Sequence, residues 1–147
     1  MAAILVVDDE YSARTTLALL LRHRGHVVRE ADGVTAAIHE LRAGVFDVIV
    51  GNPPYVKVGD RPALQPEVRD HEPSVALFGG ASGVDVMTDL VSQAPQRLRP
   101  GGCLVFEFGF GQEIAAEDLI DKTPGLSLVG LRRDLQGLAR TAVATRS

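Results

Sequence analysis

Three short segments set the constraint on this chain: the continuous apolar run AILVV (Ala3–Val7), the strand-like HVVREA (His26–Ala31) and the largely apolar FDVIV (Phe46–Val50). A continuous apolar run of about five residues suits a strand buried on both faces. Parallel neighbours of that kind need a crossover of about a dozen residues or more, usually a helix. The intervening segments supply it. YSARTTLALLLRHRG places Leu17, Leu20 and Leu21 at helical spacing and ends at Gly25, a residue suited to closing a helix. GVTAAIHELRAG follows Asp32, a candidate N-cap, and closes at Gly44. Strand, helix, strand, helix, strand in this rhythm predicts right-handed crossovers and a parallel α/β sheet.

The remaining sequence continues the pattern after an interruption. Residues 56–82 are rich in proline, glycine and charge and are expected to form a long, mobile loop. VDVMTDLVSQAPQRLRPGG predicts a helix that Pro95 either kinks or divides. CLVFEFGF predicts a strand and GQEIAAEDLIDKT a helix. The tail, LSLVGLRRDLQGLARTAVATR, predicts a hairpin turning around Gln136-Gly137. With 147 residues, one domain spanning 1–147 is expected.

Charge and cysteine content narrow the function classes. The net charge of −4 is spread along the chain, with no concentrated basic face for nucleic acid. A single cysteine, Cys103, excludes an intramolecular disulfide and a thiolate cluster, and its apolar context points to an inert thiol. No apolar stretch approaches the ~20 residues of a membrane span. A cytoplasmic location is the expectation, with neither a membrane nor nucleic acid as partner.

The order ILVVDDE, amphipathic helix, FDVIV over residues 1–50 resembles the first half of the receiver domain of two-component response regulators. The resemblance implies a sensor kinase as ancestral partner. It also implies that Asp8 and Asp9 help hold Mg²⁺ beside a phosphorylatable aspartate ending the third strand. Asn52 stands in that acceptor position, and a neutral amide cannot form an acyl phosphate. Receiver signalling is therefore excluded, leaving a vestigial, weak Mg²⁺ site at Asp8 and Asp9. The alternative role for Asp8, Asp9 and Glu10 is favourable charge at a helix N-terminus, worth ~0.3–1 kcal/mol each.

From Phe46 onwards the chain resembles the C-terminal part of the protein-(glutamine-N5) methyltransferases of peptide release factors. FDVIVGNPPYV, HEPSVALFGG, LRPGGCLVFEFGFGQ and RRDLQGLAR fall in the family's order, although Ala81-Ser82-Gly83 departs from its usual turn. The resemblance implies a substrate clamp at Asn52, Pro53, Pro54 and Tyr55. The Asn52 side-chain oxygen and the Pro53 carbonyl would accept from the substrate amide and aim its nitrogen at an electrophilic methyl. It further implies S-adenosylmethionine as cofactor and a release factor as partner. The alternative for this segment is a rigid turn, since Asn and Pro are common turn residues. The family's glycine-rich turn after the first strand is replaced by DDEYSAR. Glu30 or Asp32 stands where a ribose-binding acid belongs.

Both families wind a parallel sheet the same way, so together they imply a three-layer, doubly wound, mostly parallel sheet of order 2-1-3-4-6-5. Strand 6 is antiparallel, and the whole is a flavodoxin-like/Rossmann-like hybrid. The junction between the 1–50 and 51–147 fragments falls near residues 44–52. The crevice at the order reversal, between strands 1 and 3, gathers Asp8, Asp9 and Asn52. The expected function is a recombined or engineered chimera, a fold-recombination test. It would have no intact activity, no intact S-adenosylmethionine site, no cofactor and no partner. Two alternatives stand beside it. One is a weak S-adenosylmethionine-dependent protein-glutamine methyltransferase, and the other a non-catalytic, receiver-like module binding Mg²⁺ or a partner.

Overall fold

The computed structural model describes residues 1–53 and 84–147. In chain order the described elements are β1 (Ala3–Val7), α1 (Tyr11–His23), β2 (Val27–Ala31), α2 (Val34–Ala43) and β3 (Phe46–Gly51). After the undescribed residues come α3 (Asp85–Arg97), β4 (Leu98–Glu107), α4 (Glu113–Asp121), β5 (Leu126–Arg133) and β6 (Ala139–Arg146). The strands form one six-stranded sheet in the expected order, β2-β1-β3-β4-β6-β5. The β1–β2, β1–β3 and β3–β4 pairings are parallel, whereas β4–β6 and β5–β6 are antiparallel. The sheet is thus mixed, with β6 antiparallel to both of its neighbours. A short hairpin forces β5 and β6 to oppose each other, and β6, not β5, lies against β4.

Alternation along the strands separates two apolar clusters. Leu5, Ile49, Leu104 and Phe106 are buried on one face against Ala37 and Leu41 of α2, Met87 and Val91 of α3, and Ala116 and Ile120 of α4. Ile4, Val6 and Val28 face the other way, where Ala18 of α1 is buried with Leu17 and Leu21 beside it. Leu20, expected in that stripe, is 60% exposed, because the stripe runs through Leu17, Ala18 and Leu21 and Leu20 lies to one side of it.

Local chemistry moved several boundaries. Asp32 does not cap α2: Gly33 occupies the N-cap position and no side chain bonds to the cap. Pro95 lies within α3, which continues to Arg97. β4 begins at Leu98, ahead of the expected CLVFEFGF, and its pairing with β3 shifts register between Phe46 and Val48. Gly102 makes that irregularity fit, since a Cβ there would lie 2.8 Å from the Arg99 carbonyl oxygen and 2.9 Å from that of Asp47. The hairpin turns where expected. Asp134 accepts from the Gln136 and Leu138 amides, both at 2.9 Å, and Gly137 takes φ +81°.

At the opposite end of the sheet from the expected crevice, Asp47 ties three strands together. It accepts from the Ala3 amide and from Arg99 Nη1, each at 2.7 Å. Those donors hold its carboxyl below the ordinary carboxylate range. The expectation of a mobile 56–82 loop falls outside the described residues.

Candidate functional site

The carboxyl ends of β1, β3 and β4 bring three polar side chains into one row. Val7 pairs with Gly51, and Gly51 with Phe106, so the residues that follow each (Asp8, Asn52 and Glu107) come next across the sheet. Two backbone bonds extend the ladder beyond the strands: the Asp8 amide donates to the Ala31 carbonyl at 3.1 Å, and the Asn52 amide to the Val7 carbonyl at 3.0 Å. Arg14 Nη1 donates to the Asp8 carbonyl at 2.8 Å, and the Glu10 amide to Asp8 Oδ1 at 3.0 Å. The Asp8 and Asn52 side chains line the same cavity.

These contacts leave two carboxyls of raised pKa in the row. Burial pushes Asp8 up and the Asp9 and Glu10 charges add to it, while the Glu10 amide and Asn52 pull the other way. Partial burial and the Asp8 charge likewise raise Glu107, against the opposing pull of Arg140.

Asp8, Asp9 and Asn52 open onto a cavity of ≈ 100 Å³, several times the ~10–15 Å³ that holds one water. Its apolar walls come from Ala37, Ile38 and Leu41 of α2 and Val86 and Leu90 of α3. Pro53, Asp89 and Gln93 also line it, and no Lys or Arg does so among the described residues. Gly51 lies so close to the α3 wall that a Cβ would meet Leu90 Cδ2 at 3.0 Å. The two helix starts nearby differ. Glu10 caps α1, accepting from the Ser12 and Ala13 amides at 3.1 and 2.7 Å, so that turn is already occupied by the chain's own carboxylate. The start of α2 has no side-chain cap, and Gly33 and Val34 line the cavity.

The expected site residues divide as follows. Asp8, Asp9, Asn52 and Pro53 are brought together at the cavity, as the crevice argument required. Pro54 and Tyr55 lie outside the described residues, as does the Ala81-Ser82-Gly83 departure. Among the described residues no group of three or more His, Cys, Asp or Glu side chains is disposed to hold a metal ion. Glu30 is turned to α1, pairing with Arg22 at 2.8 Å and Arg14 at 3.5 Å, and does not line the cavity. Asp32 is exposed and does not line it either. Cys103 is half-buried, and burial raises its thiol. Sequence reasoning missed Glu107 as a neighbour of Asn52 and α3 as the second wall. The acid closing a buried apolar strand was a signal for the first; the second had none.

No protein-family model matches the chain. Curated relatives do. A protein of Rhodospirillum rubrum named release factor glutamine methyltransferase is 44% identical over 104 residues, covering 71% of this chain and 32% of its own length. One of the same name from Xylella fastidiosa (strain Temecula1) is 38% identical over 145 residues, covering 97% of this chain and 50% of its own. The chain therefore spans about a third to a half of the length of these relatives. Among solved structures, a methyltransferase from Pyrococcus furiosus superposes with TM-score 0.64 at 15% identity, over 98% of this chain and 74% of its own. A candidate methyltransferase complexed with SAH gives 0.59 at 12% identity, over 98% and 45%. The fold is α/β and Rossmann-like, as in solved methyltransferases.

These findings overturn the expectation of a recombined or engineered chimera without activity. The Xylella match covers 97% of the chain and so runs through residues 1–50, which had been assigned to a receiver. The receiver origin and the flavodoxin-like hybrid find no support in these matches. The expectation of no enzyme falls as well, since the relatives are named as methyltransferases. The expectation of no cofactor and a lost S-adenosylmethionine site is corrected by the same relatives and by the SAH-bound neighbour of like fold. That expectation weighed only the ligand's carboxylate against the missing glycine turn. S-adenosylmethionine also carries a sulfonium and an ammonium, for a net charge of +1, which an acidic rim attracts.

Proposed function

We propose that this chain is the catalytic part of an S-adenosylmethionine-dependent methyltransferase acting on a glutamine side-chain amide of a peptide release factor. The observation that carries the proposal is the position of Asn52-Pro53, at the carboxyl end of β3 and on the wall of the acidic-rimmed cavity. The named relatives supply the substrate class.

The described residues fit the cofactor. Apolar walls from α2 and α3 suit a flat heterocycle, and Asp8, Asp9 and Asp89 suit hydroxyl and cationic groups. The cofactor, when bound, supplies an electrophilic methyl on sulfur. The chain's own work is orientation. An amide nitrogen is a poor nucleophile because its lone pair is delocalised. Asn52 Oδ1 and the Pro53 carbonyl, accepting from its two N–H groups, hold that nitrogen in line and out of water. Pro53 has no backbone N–H and a nearly fixed φ, which keeps its carbonyl in place. Catalysis of this kind is mostly proximity and positioning.

A thermal melt by circular dichroism with and without S-adenosylmethionine tests cofactor binding. Ligand at ~100 times its Kd stabilises by ~2.7 kcal/mol, a rise of roughly 5–10 °C in midpoint for a chain of this size. Transfer of labelled methyl from the same cofactor to a purified release factor tests the substrate. A melt that ignores the cofactor, with no label transferred, overturns the proposal.

A further inference from the structure

The carboxyl ends of β4 and β5 and the start of β6 enclose a second cavity of ≈ 370 Å³, outside the one assigned to the cofactor. Its lining is mainly polar: Glu107, Arg133, Asp134, Arg140 and Thr141, with Phe108. A bulge brings Arg140 there. Arg132 pairs with Thr141 but Arg133 with Ala139, so Arg140 is the extra residue of β6. Ala142 and Ala144 face the main core, and strict alternation would send Arg140 the same way. Ala139 takes that place instead, and the Arg140 side chain turns to the cavity. Glu107 and Thr141 are direct partners across β4 and β6, and the Phe108 amide donates to the Arg140 carbonyl at 2.9 Å, which fixes the bulge.

The two guanidiniums are anchored without being saturated. Arg140 Nε donates to Asp134 Oδ2 at 3.3 Å, and Arg133 Nη1 to the Gly137 carbonyl at 2.7 Å. Each fork has five N–H donors, and the rest of them meet no protein acceptor among the described residues. Glu107 accepts no hydrogen bond from those residues either. Two cations and two carboxylates sum to no net charge, which suits a neutral ligand carrying both donors and acceptors. A peptide main chain is such a ligand. The place is also right for one. The Gly51–Phe106 pairing sets Glu107 next to Asn52, and neighbouring strands lie ~4.8 Å apart, about the reach of a glutamine side chain from its own backbone. Leu135, Ile114, Phe110 and Tyr11 are the most exposed large apolar side chains after Met1 among the described residues, and all four stand at this end of the sheet. Such a rim suits cover by a protein surface.

We infer that this second cavity is the subsite for the peptide main chain flanking the methyl-accepting glutamine: Arg133 and Arg140 donate to its carbonyl oxygens, and Glu107 accepts from one of its amides. The inference rests on the methyltransferase function proposed above and deepens it. These side chains bind the substrate away from the reacting atoms, so their loss is felt in KM.

The test titrates the isotope-labelled full chain with a short synthetic peptide copying the segment around the glutamine of a release factor. It reads the arginine Nε–H signals by NMR, assigned by their loss in Arg133→Ala and Arg140→Gln. In the same variants, kcat and KM are measured with a purified release factor, and the Kd of S-adenosylmethionine separately. The peptide is expected to shift both arginine signals in the wild type. Each variant should raise the peptide Kd and the KM for the release factor at least tenfold, ~1.4 kcal/mol, with kcat and the cofactor Kd little changed. Arginine signals that stay put at millimolar peptide, or an unchanged KM in both variants, overturn the inference. If the wild-type chain transfers no methyl, the functional proposal fails and the peptide titration still decides this one. If Arg140→Gln loosens the hairpin, Arg133→Ala decides it, because Arg133 is exposed and outside the core.

Discussion

Ala37→Leu separates the stability of the fold from occupancy of the cavity. Ala37 is 7% exposed on α2 and lines the ≈ 100 Å³ space beside Asn52. Leucine adds three carbons, each worth ~0.8 kcal/mol when fully buried, so the ceiling is about 2.4 kcal/mol. The cavity is open on one side, and about half of that, ~1.2 kcal/mol, is the expected gain. Alanine and leucine both favour helix, so α2 contributes little to the difference. At about 2–4 °C per kcal/mol, the melting midpoint should rise by roughly 2–5 °C. The added side chain occupies the space assigned to the cofactor, so Kd for S-adenosylmethionine should rise at least tenfold, ~1.4 kcal/mol. Circular dichroism melts with and without cofactor, together with titration calorimetry, read both quantities. Wild-type affinity in the variant would refute the assignment of the cavity. A fall of several degrees in midpoint would show that the wall has no room, since overpacking costs about 1–3 kcal/mol.

Three further outcomes follow from particular contacts. Asp47→Asn should lower the midpoint near neutral pH. The folded pKa of Asp47 is depressed by Ala3 and Arg99, so its contribution is present above the unfolded value, ~3.9, and is lost as pH falls through the folded one. The gap between wild type and variant should therefore close in an acid titration. Glu107→Gln should do the reverse, because burial and Asp8 raise the Glu107 carboxyl. The variant should melt higher near neutral pH, and the advantage should vanish below the unfolded value of ~4.3. Gly102→Ala places a Cβ 2.8 Å from one backbone carbonyl oxygen and 2.9 Å from another. Neither can retreat without breaking the β3–β4 pairing, so a loss of roughly 1–3 kcal/mol is expected in chemical denaturation.

Local pattern determined much of this protein. The apolar runs of β1 and β3, with the shorter HVVREA segment at crossover spacing between them, dictated three parallel strands, since apolar runs of this length suit strands buried in a parallel sheet. The hairpin at Gln136-Gly137 was legible because its turn chemistry lies within a few residues: Asp134 holds the turn and Gly137 takes the positive φ. Asn52 at the end of β3 was legible for the same reason, as the residue just past an apolar run. Tertiary structure decided the rest. That Leu20 is exposed while Ala18 is buried depends on which face of α1 turns to the sheet, which tertiary packing decides. The cavity needs α3 opposite α2, and the Asp8–Asn52–Glu107 row needs two strand registers between residues about 50 apart. The absent glycine turn misled for the same reason. The charge and walls of a ligand cavity are sums over elements distant in sequence, and only packing brings them to one place.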